Sequence, residues 1–133
     1  MKFVLDTNIC IYWLKGNKEI EDKTVGVGLD KIAITVITEC ELAYGAYKST
    51  RIQKNLNILR RLKREIATLH TSNAVAEKFG QIKAHLEKIG KIIDDADILI
   101  ASITLFYGGI LVTNNISHFE RIPGLKTENW LKL

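Results

Sequence analysis

Short apolar runs separated by helix-length segments restrict this chain more than any other feature. Phe3-Val4-Leu5, Ile32-Ala33-Ile34 and Ile110-Leu111-Val112 are too short for buried helices, and each is followed within a few residues by sequence with helical spacing. Strands that alternate with helices form a parallel sheet covered on both faces. The expected fold is therefore α/β, with a Rossmann-like central parallel sheet of four to five strands flanked by helices. At 133 residues the chain is long enough for one core without disulfides, and no linker, repeat or low-complexity segment divides it. A single domain over 1–133 is expected.

Strand one takes residues 2–5, followed by a helix from Asn8 to Lys15. A loop holding Gly16, Gly26 and Gly28 leads to the Ile32 strand, and a helix covers Val36 to Tyr47. Ile52, Leu56, Leu59, Leu62 and Ile66 stand at helical spacing with basic residues opposite them. Ala67-Thr68-Leu69 makes a short strand. Thr71 or Ser72 then caps a helix whose stripe is Val75, Phe79, Ile82, Leu86 and Ile89, ended by Gly90. A helix from Asp94 to Tyr107 stops at Gly108-Gly109, and Lys126-Thr127-Glu128 adds an edge strand after a turn holding Pro123.

Hydrophobic residues at 47% against 26% charged exclude a disordered chain. No apolar stretch reaches the ~20 residues a bilayer span needs, and Asp6 comes too early for a signal peptide. A cytoplasmic protein without a membrane partner is expected. Cys10 and Cys40 lack metal-finger spacing and read as two reduced core thiols.

Three acids stand where a structural reading has little use for them. Asp6 closes the first strand, Glu41 lies in an otherwise apolar helix, and Asp97 opens the apolar run Ile98 to Leu105. Carboxylates are rarely buried unless paired, protonated or bound to metal. Ligands of open parallel sheets gather at the carboxyl ends of the strands. Asp6, Glu41, Asp97 and the turn Thr113-Asn114-Asn115 can all face that edge, where oxygen ligands suit Mg2+ or, in its place, Mn2+. Each motif also has an ordinary reading. Leu5-Asp6-Thr7-Asn8 serves equally as a helix cap. Glu39 and Glu41 lie about 200° apart on a helix, so at most one faces inward. Asp94 and Asp95 complement a helix dipole. Asn115 is placed to hold a metal-bound water, Glu120 to add an acid, and His118 reads as a surface residue.

The net charge is +4, and Lys48, Arg51, Lys54, Arg60, Arg61, Lys63 and Arg64 crowd one segment. A basic surface beside an acidic, metal-seeking pocket suits an enzyme acting on a polyphosphate backbone. The segment reads equally as a solvated helix face.

Taken in order, Leu5-Asp6-Thr7-Asn8, Glu41-Leu42-Ala43-Tyr44-Gly45, Asp97-Ile98-Leu99-Ile100-Ala101, Leu111-Val112-Thr113-Asn114-Asn115 and Phe119-Glu120-Arg121-Ile122-Pro123-Gly124-Leu125 resemble the PIN-domain ribonucleases. Within them the chain resembles the VapC toxins of bacterial type II toxin–antitoxin pairs. Thr127-Glu128-Asn129-Trp130 and the Thr-Asn-Asn turn are similar to the branch that cuts initiator tRNA in its anticodon stem-loop.

The resemblance implies an endoribonuclease with Asp6, Glu41, Asp97 and Asn115 as its catalytic group. Asp6 and Asp97 would be direct Mg2+ ligands, with Glu41 at a second ion or orienting a water. Asn115 stands where many relatives carry a fourth acid, a place Glu120 or a water could take instead. Thr7, Asn8, Thr113 and Asn114 would touch the substrate. The resemblance also implies a homodimer and a VapB-type antitoxin, giving a hetero-oligomer, with Tyr12, Trp13 and Tyr44 offering the antitoxin an apolar groove. The alternatives are a catalytically silent RNA-binding or antitoxin-docking module, and another metal-dependent phosphoryl-transfer domain.

Overall fold

The computed structural model describes residues 2–131. The chain runs β1 (Phe3–Leu5), α1 (Thr7–Leu14), α2 (Lys18–Val27), β2 (Ile32–Thr35), α3 (Val36–Tyr47), α4 (Ile52–Glu65), β3 (Ala67–Leu69), α5 (Asn73–Lys88), α6 (Asp95–Phe106), β4 (Ile110–Val112), α7 (Ile116–Phe119) and β5 (Lys126–Glu128). The five strands form one parallel sheet in the order β3-β2-β1-β4-β5. The chain builds outward from β1 through β2 to β3, then returns to place β4 on the other flank of β1. Strand order therefore reverses between β1 and β4, where a crevice opens beyond the strand ends.

Side chains alternate across a strand, so each short strand feeds two cores. Val4, Ala33 and Leu111 join Val75, Ile82, Leu86, Ile98 and Ile103 from α5 and α6 on one face. Leu5, Ile32, Ile34 and Val112 join Ile9, Cys10, Ile20, Leu62 and Trp130 on the other. The runs read as continuously apolar because both faces are covered. Phe3 and Trp130 rings, 5.5 Å apart, fasten the segment after β5 back onto β1.

The turn from α6 into β4 rests on two glycines for different reasons. Gly108 has φ +68° and its N–H bonds to the Leu105 carbonyl, ending the helix in the left-handed region. Gly109 has an ordinary φ, but an added Cβ would lie 3.0 Å from the Lys2 carbonyl oxygen and from Val4 Cγ2. The missing side chain lets β4 enter the sheet against β1.

Three expectations are corrected. The segment expected as a loop with Gly26 is largely the helix α2, in which Gly26 lies. Thr24, Val25, Gly26 and Val27 are weak helix formers. The helix is held by its cap, where Asn17 Oδ1 accepts from Ile20 N–H at 3.1 Å, and by burial of Ile20 and Thr24. Ile89 lies at the C-cap of α5, exposed rather than part of the buried stripe. Cys40 is exposed on α3, whereas Cys10 is buried as expected, its thiol pushed up to about 12 by burial and so inert.

Leu111 is fully buried in the central pair of strands. Leu111→Ala is expected to cost about 2–5 kcal/mol, read as a lower urea midpoint at unchanged slope.

Candidate active site

The site is assembled at the end of β1. The β1–β4 ladder continues one step past the strand, with Asp6 N–H donating to the Val112 carbonyl at 2.9 Å. Asp6 thereby becomes the N-cap of α1, and its Oδ1 accepts from Thr7 N–H at 2.8 Å. Its other oxygen, Oδ2, accepts from Thr113 Oγ1 at 2.8 Å, across the strand-order reversal. Cap and candidate ligand are thus one residue, because each carboxylate oxygen keeps a second lone pair. Asp6 is only 6% exposed. Burial raises its pKa, opposed by the bonds from Thr113 and Thr7, while the charge of Glu41 adds to the rise.

Asp97 enters from the first turn of α6 and is half-buried. Its pKa is pushed up to about 6, first by burial and then by the charges of Asp6, Asp94 and Glu41, with His118 opposing.

Glu41 is exposed on α3, and Thr7 Oγ1 donates to its Oε1 at 2.5 Å. That uses the only proton on Thr7, so the buried Thr38 hydroxyl, 3.0 Å away, must donate to Thr7 Oγ1. The helix also separates the two glutamates that sequence left undecided. Glu41 turns to the acidic group, while Glu39 pairs with Lys63 of α4 at 2.7 Å. Similarly Asp95 pairs with Lys83 of α5 at 2.9 Å, while Asp94 adds its charge to Asp97.

Thr7 and Thr113, expected to touch the substrate, engage their hydroxyls within the site itself. Thr113 is fully buried, and its hydroxyl donates to Asp6 and accepts from Asn115 N–H at 3.0 Å. The Thr7 hydroxyl is likewise committed to Glu41 and Thr38. Both thereby hold the acids in position, and Asn8 and Asn114 are exposed. Glu120 is exposed at the C-cap of α7, and no bond ties it to the acids.

Asn115 is engaged by a residue that sequence placed on the surface. Its Nδ2 lies 2.8 Å from Nδ1 of His118, which is half-buried and acts on Asp97. A neutral ring accepts the amide N–H, leaving its own proton on Nε2, while a protonated ring needs the amide oxygen instead. The spacing Asn115-His118, three residues apart across a helix start, was the available signal.

The acids share a field rather than a closed cage. Among the described residues, no three of His, Cys, Asp or Glu are grouped to hold an ion as they stand. The donor chemistry nonetheless fits magnesium, which keeps several waters and is bound through one or two carboxylates plus substrate phosphates. Asp6 and Asp97 supply two, and their raised pKa values record a crowding that a cation relieves.

The antitoxin groove expected from Tyr12, Trp13 and Tyr44 is lined otherwise. An apolar groove of about 330 Å³ runs between α1, α3 and α4, walled by Ile11, Leu14, Leu42, Ile58 and Leu59, with Glu41 also in its lining. Tyr12 and Tyr44 are exposed outside it, and Trp13 packs into the core around Leu5.

The family model of the PIN domain matches residues 3–125. The chain belongs to the PIN-domain family. Within it, this PIN domain is 38% identical over 130 residues to the tRNA(fMet)-specific endonuclease VapC of Shigella flexneri, covering 98% of each chain. It is also 38% identical to the ribonuclease VapC2 of Haemophilus influenzae, covering 98% of this chain and 99% of that one. Among solved structures, VapBC2 from Rickettsia felis, bound to a DNA fragment from its promoter, superposes at TM-score 0.92 with 34% identity, covering 98% of this chain and 100% of that chain. DNA-bound VapBC from Salmonella typhimurium also gives 0.92, with 35% identity over 98% of this chain and 99% of that chain.

Asp97 allows a test of the crowding without any ion present. Between the ordinary carboxylate range and about pH 6, the folded PIN domain keeps a proton on Asp97 that the unfolded chain has lost. Stability therefore falls as pH rises through that window. In the presence of a chelator, Asp97→Asn is expected to melt higher than the parent chain at pH 7.5, with the gap closing towards pH 4. A gap independent of pH would show that Asp97 is not strained by its neighbours.

Proposed function

We propose that this PIN domain is the toxin of a type II toxin–antitoxin system, a magnesium-dependent endoribonuclease whose target is tRNA, with the initiator tRNA anticodon stem-loop favoured. The observation that carries the proposal is the Asp6–Asp97 pair, crowded at the strand-order reversal of a chain 38% identical to named VapC ribonucleases along almost its whole length. Asp6 and Asp97 would hold Mg2+, which would supply positive charge to polarise a phosphate and lower the pKa of an attacking water.

The remaining steps belong to the protein. Thr113 and Thr7 N–H hold the Asp6 carboxylate in one orientation, with a lone pair left on each oxygen. Thr7 fixes Glu41, which is then placed to orient water towards the phosphorus. Water as nucleophile leaves a 5′-phosphate and a 3′-hydroxyl. Asn115 and His118 hold each other at the rim and face the substrate or the ion's hydration shell. Specific RNA recognition favours unpaired loops, in keeping with an anticodon loop as target.

Several solved structures similar to this chain are VapBC complexes, which supports a VapB-type antitoxin as partner, in a cytoplasmic hetero-oligomer built on a toxin homodimer. The groove between α1, α3 and α4 suits an apolar antitoxin segment, and Glu41 in its lining would let a basic side chain of that segment reach the acids. Among the described residues, no helix is long and apolar enough to cross a membrane.

The purified protein is expected to cut RNA with Mg2+ or Mn2+, to stop with chelator, and to leave 5′-phosphate ends. Asp97→Asn is expected to abolish cleavage while circular dichroism stays unchanged; undiminished cleavage by that variant rejects the site. On expression, sequencing of RNA 5′ ends is expected to place cuts in initiator tRNA, and cuts confined to messenger or ribosomal RNA refute the favoured target.

A further inference from the structure

Beyond Glu41, which serves the acidic site and lines the apolar groove, α3 carries exposed side chains that neither of them uses. Glu41, Tyr44 and Lys48 stand at i, i+3 and i+7, one above another on the helix. Tyr44 is 65% exposed, and Lys48 Nζ lies 4.9 Å from the centre of its ring. The chain then turns into α4, adding the exposed Arg51 and Lys54 at the same corner. Among the described residues, Lys48, Arg51 and Lys54 have no carboxylate partner, whereas Lys63 further along α4 is tied to Glu39. At about 1.5 Å per residue, Lys48 lies roughly 10 Å along α3 from Glu41.

An aromatic ring left open to solvent, next to an acidic metal site and followed by unpaired cations, has the pattern of a single-strand platform. Such surfaces combine a base-stacking ring with positive charge that follows the backbone. The charge favours RNA over an apolar peptide here, because Tyr44, Lys48, Arg51 and Lys54 all lie outside the lining of the apolar groove.

We propose that Tyr44 stacks on an unpaired base of the RNA substrate, adjoining the phosphate at the acidic site, and that Lys48, Arg51 and Lys54 hold the backbone that continues from it. The proposal rests on the ribonuclease reading for its substrate, but binding tests it separately from cleavage. Lys48 Nζ lies over one face of the ring, which leaves the other face for the base, and meets the first phosphate beyond it. The consequence is a requirement for at least one unstacked nucleotide beside the scissile bond.

The experiment measures binding of the full-length protein to a fluorescent stem-loop RNA carrying 2-aminopurine in its loop, in chelator so that nothing is cut. Tyr44→Ala is expected to weaken binding about tenfold and to lose the fluorescence quench that stacking causes. Tyr44→Phe, which keeps the ring, is expected to bind within about threefold of the parent. Replacing Lys48, Arg51 and Lys54 together by Ala is expected to flatten the salt dependence of binding. Sedimentation of each variant reports self-association, and titration with a co-expressed antitoxin reports that partner. Unchanged RNA affinity in Tyr44→Ala overturns the proposal. So does a loss seen only in self-association or antitoxin affinity, which assigns the face to a second copy or to the antitoxin. If the parent chain binds RNA through Tyr44 but never cuts it with Mg2+, the ribonuclease reading fails and the platform stands.

Discussion

The hydrogen bond from Thr113 to Asp6 joins what the rest of the structure brings together. It links residues 107 positions apart in sequence, across the one gap in the sheet where strand order reverses. Without that donor, the Asp6 oxygen would be buried with only a backbone N–H on its twin, and a buried carboxylate lacking partners takes up a proton. The bond therefore fixes the position of the residue on which the site depends and opposes the rise in pKa that burial causes there. It also explains why β4 must sit hard against β1, a closeness that Gly109 permits by having no side chain.

Around that bond the fold uses hydroxyls as spacers between charges. Thr38 orients Thr7, Thr7 orients Glu41, and Thr113 orients Asp6 and the Asn115 backbone. Neutral donors can approach carboxylates without cancelling their charge, as a lysine would. The acids stay negative enough to repel one another, visible in the raised pKa of Asp97. The lysines that do approach acids nearby, Lys63 and Lys83, pair with Glu39 and Asp95 outside the group.

Sequence carried most of the framework, because strands buried on both faces are uninterrupted apolar runs and the helices between them have regular stripes. It failed where local propensity and tertiary support disagree, as in α2, where an Asn17 cap and two buried residues outweigh Gly26. In the site, the positions of Asp6 and Asp97 were readable from the apolar residues beside them. The choice between Glu39 and Glu41 was not, since Val36, Ile37 and Leu42 place apolar surface on more than one side of α3. Partners distant in sequence decided it. The same distance hid the work of Thr7 and Thr113, whose hydroxyls bond to residues 31, 34 and 107 positions away.

The apolar groove has Glu41 in its wall, while neither Asp6 nor Asp97 lines it. Grip and blockade are consequently set at different points along any linear occupant. Shortening such a chain from the end nearest the acids would free the catalytic edge while the remainder stayed anchored. A tethered inhibitor of this shape can thus be disarmed by a protease in stages, with relief arriving before departure.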